Sequence, residues 1–264
     1  MSKTKRIIQV GGTVRSGTTM LGLIISNAEN AISLGEVMHL FDPYNKQHYD
    51  KIKELTLDPK WKSIINDKPE NLYDNVFKFF PEIDLIIDSS KDPIWFERIS
   101  KSSKYNTVRL ITYKSPKDLK NSFLKRKMDN WEKVYLNYYK RFFSVFPLVP
   151  TVYLKDLLTD EGYLEKLCEY LNIPYSKNRL NYWEKKHPNF FGSSTVKQKK
   201  IDSTILEKND EKTNTNGKMY KLFNKLNKKQ FINTPIDVNY KYSGFTLKAL
   251  YFKDNLLKKL NNEK

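Results

Sequence analysis

The chain has 264 residues, 39% of them hydrophobic and 14% aromatic, enough to bury the core of an α/β domain. Its formal net charge is +17 and its pI about 9.6, which favours anionic partners; lysine amid abundant Asn and Ile is also the usage of an AT-rich genome, so charge alone assigns no ligand. The single cysteine, Cys168, excludes an internal disulfide framework and a cysteine zinc cluster, and no apolar run is long enough to span a bilayer.

The first predicted strand is "RIIQV" (6–10), which follows the N-terminus so closely that no leader is expected and the protein is expected to be cytoplasmic. It runs into "GGTVRSGTT" (11–19) and then a helix-like run, "MLGLIISNAEN". A short strand is expected at "AISL" (31–34). Residues 40 to 80 are polar and aromatic without strand signals and read as a mostly helical insertion. "IDLIID" (83–88), "TVRLITY" (107–113) and "PTVYL" (150–154) are short apolar or β-branched runs bounded by turns, the pattern of buried parallel strands. Between the last two, "WEKVYLNYYKRFFSVF" (131–146) has the spacing of a core helix, with one or two of its rings able to floor a pocket. "YLEKLCEYL" (163–171) is an amphipathic helix that Pro174 ends, with Cys168 as a buried structural thiol. From about 176 the chain turns polar and lysine-rich, and "FTLKALYFKDNLLKKLNNEK" at the end predicts a basic amphipathic helix. The fold class is α/β: a single domain over 1–264, with a central parallel sheet flanked by helices over about 6–200 and a helical, basic C-terminal extension over about 201–264.

"GTVRSGTT" has the G-x-x-x-x-G spacing of a phosphate loop between a strand and a helix. Gly17 lets the backbone turn, and the helix N-terminus behind it favours an anion. A nucleotide triphosphatase carries lysine after the last glycine; here that place is Thr18, so the β/γ-phosphate clamp is missing. Arg15 offers a forked cation instead, and Ser16, Thr18 and Thr19 offer hydroxyls.

The stretch "VRSGTTMLGLIISNAENAISLGE" resembles the 5′-phosphosulfate loop of sulfotransferases that use 3′-phosphoadenosine 5′-phosphosulfate (PAPS). It is most similar to the tyrosylprotein branch and related bacterial enzymes, with Val14 in place of their proline. "IIDSSKDPIWFERI" resembles the segment that carries K-D-P in one branch and D-S-S-K in the other. "VRLITYKSPKDLKNSFLKR" resembles the 3′-phosphate motif: Lys114 takes the place of its first arginine, Ser115 of its aspartate and Lys117 of its second arginine, and Ser122 falls on its serine. In "TVYLKDLLTDEGYLEKLCEYLNIPY", Leu154 and Lys155 take the places of the family's tyrosine and glutamate. "HPNFFGSSTVKQKK" loosely resembles the C-terminal segment that lies over the cofactor, which points to Gly192 and Ser193.

The resemblance implies a donor, PAPS, leaving as adenosine 3′,5′-bisphosphate, with no metal. Arg15, Ser16, Gly17, Thr18 and Thr19 would hold its 5′-phosphosulfate, Lys114 and Ser122 its 3′-phosphate. Glu36 matches the family's G-E glutamate and is the expected general base, and Lys91 is expected to stabilise the bridging oxygen. Asp88 is a candidate to orient Lys91, and His39 and His48 are substitute bases; His187 reads as a loop residue. The implied acceptor is a hydroxyl of a glycan, a peptidyl tyrosine or a small metabolite. Three other readings stay open: a small-molecule kinase or other P-loop phosphotransferase; a nucleic-acid-binding protein, on charge alone and without any recognisable motif; and a sulfotransferase-like protein that has lost activity, prompted by Lys114, Ser115 and Lys155.

Overall fold

The computed structural model describes residues 4–101, 103–188, 190–193, 196 and 217–233. Five strands, Arg6–Gly11 (β1), Ala31–Gly35 (β2), Leu85–Asp88 (β3), Asn106–Tyr113 (β4) and Thr151–Tyr153 (β5), form one parallel sheet in the order β2-β3-β1-β4-β5. Side chains alternate between its faces, as the two-residue period of a strand requires. Ile7, Ile86, Ile111 and Tyr113 enter one core, while Ile8, Val10, Leu85, Ile87 and Leu110 enter the other. Both faces are therefore apolar, and the strands read as continuous apolar runs.

One face is covered by Thr18–Ser26 (α1), Leu154–Thr159 (α8) and Glu161–Tyr170 (α9), the last with Cys168 buried. The other carries Pro59–Ile65 (α3), Leu72–Phe79 (α4), Pro93–Lys101 (α5), Pro116–Leu124 (α6) and Trp131–Val145 (α7). Lys46–Leu55 (α2), α3 and α4 make the insertion after β2 helical, as expected. Starts are set locally: Asp58 accepts from the Lys60 and Trp61 amides ahead of α3, and Ser115 accepts from the Asp118 amide ahead of α6.

Gly217–Lys228 (α10) lies within the segment read as an extension. Its Met219 and Leu226 are fully buried, and its end docks on β5 where the Thr151 amide donates to Lys229 O at 2.8 Å. The terminal amphipathic helix expected over 245–264 lies outside the described residues.

The strand order locates the site. The chain leaves β1 through α1 toward β2, on one side, and leaves β4 through α6 and α7 toward β5, on the other. β1 and β4 are neighbours, so the sheet divides between them and opens a crevice at their carboxyl ends, where ligands of open α/β sheets collect.

A buried carboxylate anchors the neighbouring strand end. Asp88 accepts from the Tyr73 hydroxyl at 2.9 Å, the Trp95 indole at 3.0 Å and the Ser90 amide at 2.8 Å. Burial pushes its pKa up from the usual carboxylate range, against the hydrogen bonds that favour the charged form. Asp88→Ala strands the Tyr73 and Trp95 donors in the core and should cost about 3 kcal/mol or more, read as a lower urea midpoint. Tyr73→Phe, which removes one donor to Asp88 and the acceptor of Gln9 Nε2 while Trp95 and Ser90 still reach Asp88, should cost less, about 1–2 kcal/mol.

Candidate active site

The phosphate loop spans Gly12 to Gly17 between β1 and α1. Gly17 has φ 99, and a Cβ there would meet Leu154 Cδ2 at 2.6 Å, so glycine is required both for the turn and for the approach of α8. No side chain caps α1 at this end, which leaves its first amides directed at the crevice with their partial positive charge. Gly22 lets α1 settle against β3, because a Cβ there would meet Ser89 Oγ at 2.6 Å. Among the described residues, Thr13 Oγ1, Ser16 Oγ and Ser89 Oγ are buried and lack a hydrogen-bond partner. Arg15 has φ 69, a left-handed conformation that costs a non-glycine residue about 1–2 kcal/mol.

Arg15 reaches away from the loop. Its Nε donates to Ser122 Oγ on α6 at 3.2 Å. Lys114, at the end of β4, is close enough for the Arg15 charge to act on it: burial, and then Arg15, lower its pKa to about 8. The Arg15 pKa is itself lowered by burial and by Arg126. The two residue groups expected to hold the two anionic ends thus adjoin through one guanidinium, and the Arg126 charge acts on it. Arg126 was not singled out by the sequence; its signal was its place four residues beyond Ser122. Ser115, at the family's aspartate position, caps α6 and bonds Asp118 instead of facing the cations.

The second group lies at the ends of β2 and β3. Glu36 directly follows β2, and Lys91 follows β3 in a left-handed conformation, φ 68. Lys91 Nζ meets Glu36 Oε1 at 2.5 Å, and His39 Nε2 stands 3.7 Å from Glu36 Oε2. Burial alone would raise the Glu36 pKa, but His39 and Lys91 together hold it below the usual carboxylate value. Asp88, a candidate to orient Lys91, is instead committed to Tyr73, Trp95 and Ser90. The Lys91 backbone is held by Tyr138, whose hydroxyl donates to Lys91 O at 2.7 Å. Next in the chain, Asp92 accepts from the Ile94 and Trp95 amides to start α5 and pairs with Arg141 at 3.1 Å.

Beyond Glu36 lies a ring cluster. His39 stacks on His48 with centroids 4.4 Å apart; Tyr44 stands edge-on to both, and Phe191 packs on His48 at 4.5 Å. Tyr44 is 71% exposed, at the outer edge of the cluster. Burial, followed by the His39 charge, lowers the His48 pKa. His187 lies apart, its Nε2 3.4 Å from Ser26 Oγ at the far end of α1, where burial lowers its pKa to about 4.

The segment that begins at Phe190 closes this end of the sheet. The Phe190 amide donates to Leu34 O, and the Glu36 amide donates to Phe190 O at 2.7 Å. Two residues after Phe191, the Ser193 amide donates to Thr19 Oγ1 at 3.2 Å. Gly192 and Ser193 therefore lie between the Glu36 group and the start of α1.

No protein-family model matches the chain, and no curated protein does. Solved structures do. The sulfotransferase domain of the Synechococcus PCC 7002 olefin synthase superposes with a TM-score of 0.61, at 15% identity, over 86% of this chain and 96% of that one. The fold is that of a sulfotransferase domain. The sulfotransferase domain from the curacin biosynthetic pathway gives a TM-score of 0.60, at 15% identity, over 86% of this chain and 99% of that one. The likeness is one of architecture, and what this sulfotransferase fold does rests on the residues just described. Among the described residues no group of His, Cys, Asp and Glu could hold a metal ion, and no helix is long and apolar enough to cross a membrane.

An anion held by Lys114 would bind with a pH dependence. With a pKa of about 8 it is charged below that pH and neutral above it. Sulfate remains a dianion throughout, so its binding should weaken as pH rises through about 8. The sulfate-induced rise in Tm should be larger at about pH 7 than at about pH 9, and Lys114→Met should abolish the difference. General salting by sulfate acts on both proteins alike. A difference that survived in Lys114→Met would place the titrating group elsewhere.

Proposed function

We propose that this chain is a sulfotransferase that moves a sulfuryl group from PAPS to an acceptor hydroxyl. One observation carries the reading: a carboxylate and a lysine, Glu36 and Lys91, are paired at 2.5 Å at the carboxyl end of a sulfotransferase fold. A phosphate loop and a separate cation group flank the same crevice.

The residues suit such a donor. The buried, unpartnered hydroxyls of Thr13, Ser16 and Ser89 and the uncapped start of α1 supply donors for a phosphosulfate, with Gly17, Thr18 and Thr19 shaping the turn. Arg15, Lys114 and Ser122, with Arg126, suit the 3′-phosphate. The Ser193 contact to Thr19 supports Gly192 and Ser193 as the cover over this end. When bound, PAPS supplies an activated sulfuryl group attached to a phosphate that can leave.

The protein contributes position and charge. Transfer of this kind passes through a loose, in-line transition state by analogy with phosphoryl transfer, so little covalent chemistry falls to the enzyme. Lys91 Nζ stabilises negative charge on the departing oxygen. Glu36 accepts the proton of the acceptor hydroxyl, and His39 and Lys91 keep it ionised at neutral pH. The proton would pass from the acceptor oxygen to Glu36 as that oxygen bonds to sulfur, while the bond from sulfur to the bridging phosphate oxygen breaks and its electron pair leaves with adenosine 3′,5′-bisphosphate beside Lys91. The acceptor approaches past the ring cluster of His39, His48, Tyr44 and Phe191 and is a hydroxyl on a glycan, a peptide tyrosine or a small metabolite. We place the protein in the cytoplasm, without nucleic acid as a ligand.

Adenosine 3′,5′-bisphosphate should bind at least about tenfold more tightly than 5′-AMP, as one charge-assisted contact to the extra phosphate implies. Isothermal titration reads this directly. Equal affinities would remove the 3′-phosphate assignment, and Mg²⁺-stimulated ATP turnover would replace the reading with a kinase. Glu36→Gln keeps the side chain's shape and removes its basicity. It should lower sulfate transfer by ~10²–10⁴-fold while adenosine 3′,5′-bisphosphate still binds. Full turnover in this variant would assign the proton to another group.

A further inference from the structure

Tyrosines of helix α7 touch the segments that follow β1, β3 and β4. Tyr135, Tyr138 and Tyr139 occupy positions i, i+3 and i+4, so they share one helix face. Each hydroxyl donates to a carbonyl at the carboxyl end of the sheet. Tyr135 donates to Lys114 O at 3.3 Å, Tyr138 to Lys91 O at 2.7 Å and Tyr139 to Thr112 O at 3.1 Å. Tyr138 also accepts from the Gly12 amide at 2.6 Å. One phenol therefore joins the start of the phosphate loop to the lysine that follows β3. A phenol has one proton to give, and Tyr138 gives it to Lys91 O, so its oxygen is engaged as donor and acceptor at once.

The consequences differ for the two lysines. Lys91 is a non-glycine residue in the left-handed region and needs an external tether to stay there. From that backbone conformation its Nζ meets Glu36. Arg141, one turn beyond Tyr138, holds Asp92, so residues 91 and 92 are both gripped by α7. Lys114, by contrast, faces Arg15 and is repelled by it. Tyr135 holds the Lys114 backbone against that repulsion.

We propose that Tyr138 and Tyr135 are separate positioning residues, Tyr138 acting through Lys91 on turnover and Tyr135 acting through Lys114 on recognition of the 3′-phosphate. The kinetic part rests on the function proposed above. Helix α7 is then a template on which the reacting end and the anchoring end of the donor site are set independently.

Tyr→Phe substitutions keep each ring in the core and remove one hydroxyl. Tyr138→Phe should lower kcat by about three- to tenfold, more than it weakens adenosine 3′,5′-bisphosphate. Tyr135→Phe should do the reverse, weakening that ligand by about three- to tenfold and narrowing its advantage over 5′-AMP. In a Lys91→Met background the Tyr138→Phe effect on kcat should vanish, since its target is gone. A purely structural role would shift both readouts together and would persist in that background; either result overturns the proposal. Two measurements need neither donor nor acceptor. In a crystal structure of Tyr138→Phe, Lys91 should leave the left-handed region or release Glu36. In the wild-type protein the Gly12 amide should exchange slowly with solvent. An unmoved Lys91, or a Gly12 amide that exchanges as fast as an open loop, overturns the Tyr138 assignment even if the variant folds poorly. A wild-type protein that transfers no sulfate while Tyr138→Phe frees Lys91 overturns the proposed function and leaves the positioning role standing.

Discussion

Arg15 is held at one end of the sheet against repulsion from Arg126, and Lys114 against repulsion from Arg15, and the surrounding hydrogen bonds hold them there. Burial makes the problem worse: it lowers the pKa of both Arg15 and Lys114 before any neighbour is considered. The fold answers with neutral hydrogen bonds. Ser122 takes Arg15 Nε, Tyr135 takes Lys114 O, and Asp118, whose charge favours the charged form of Lys114, is engaged with Ser115. A carboxylate set among the three cations would relieve the repulsion and compete with an anionic ligand. Leaving the cluster net positive would lower stability without a ligand and, on the proposed reading, would strengthen binding with one.

The topology makes this possible. The loops after β1, β3 and β4 emerge side by side because those strands are neighbours, and the chain direction divides between β1 and β4. Residues 107 positions apart, Arg15 and Ser122, then meet without any local sequence signal. The same geometry brings Glu36 to Lys91, 55 residues later, across the β2–β3 edge. Once the strand ends are fixed, single side chains decide the rest, and α7 supplies several of them.

What could be read from the sequence follows from this division. The strands were legible because both faces of a parallel sheet are buried, so each strand is a nearly unbroken apolar run. The phosphate loop was legible because its chemistry is local: Gly17, Ser16 and the threonines act within a few residues of one another. Arg15 could be read as a candidate anion ligand, but its bond to Ser122 could not be foreseen, since that partner lies on α6. Tyr138 was legible only as a ring in a core helix; nothing in "VYLNYYKRFF" says that one of its hydroxyls reaches Gly12 and Lys91. Asp88 was ambiguous for the same reason, its three donors coming from two helices and a turn. Met219 and Leu226 were hidden by the lysines around them, although their spacing of seven places them on one helix face.

On the proposed reading, the short contact between Lys91 and Glu36 cannot persist through turnover. Glu36 needs a free lone pair for the acceptor proton, and Lys91 must turn to the departing oxygen. While they are paired, Lys91 and His39 keep the carboxylate a weaker base than an ordinary glutamate. Any anion that draws Lys91 away removes one of the charges that depress Glu36, so its basicity rises. The carboxylate thus becomes a better base when a negatively charged group has entered beside it. On that reading, two oppositely charged side chains within 2.5 Å would couple entry of an anion to activation of the base. The Tyr138 hydroxyl holds Lys91 O, so on the same reading the change would fall to the lysine side chain.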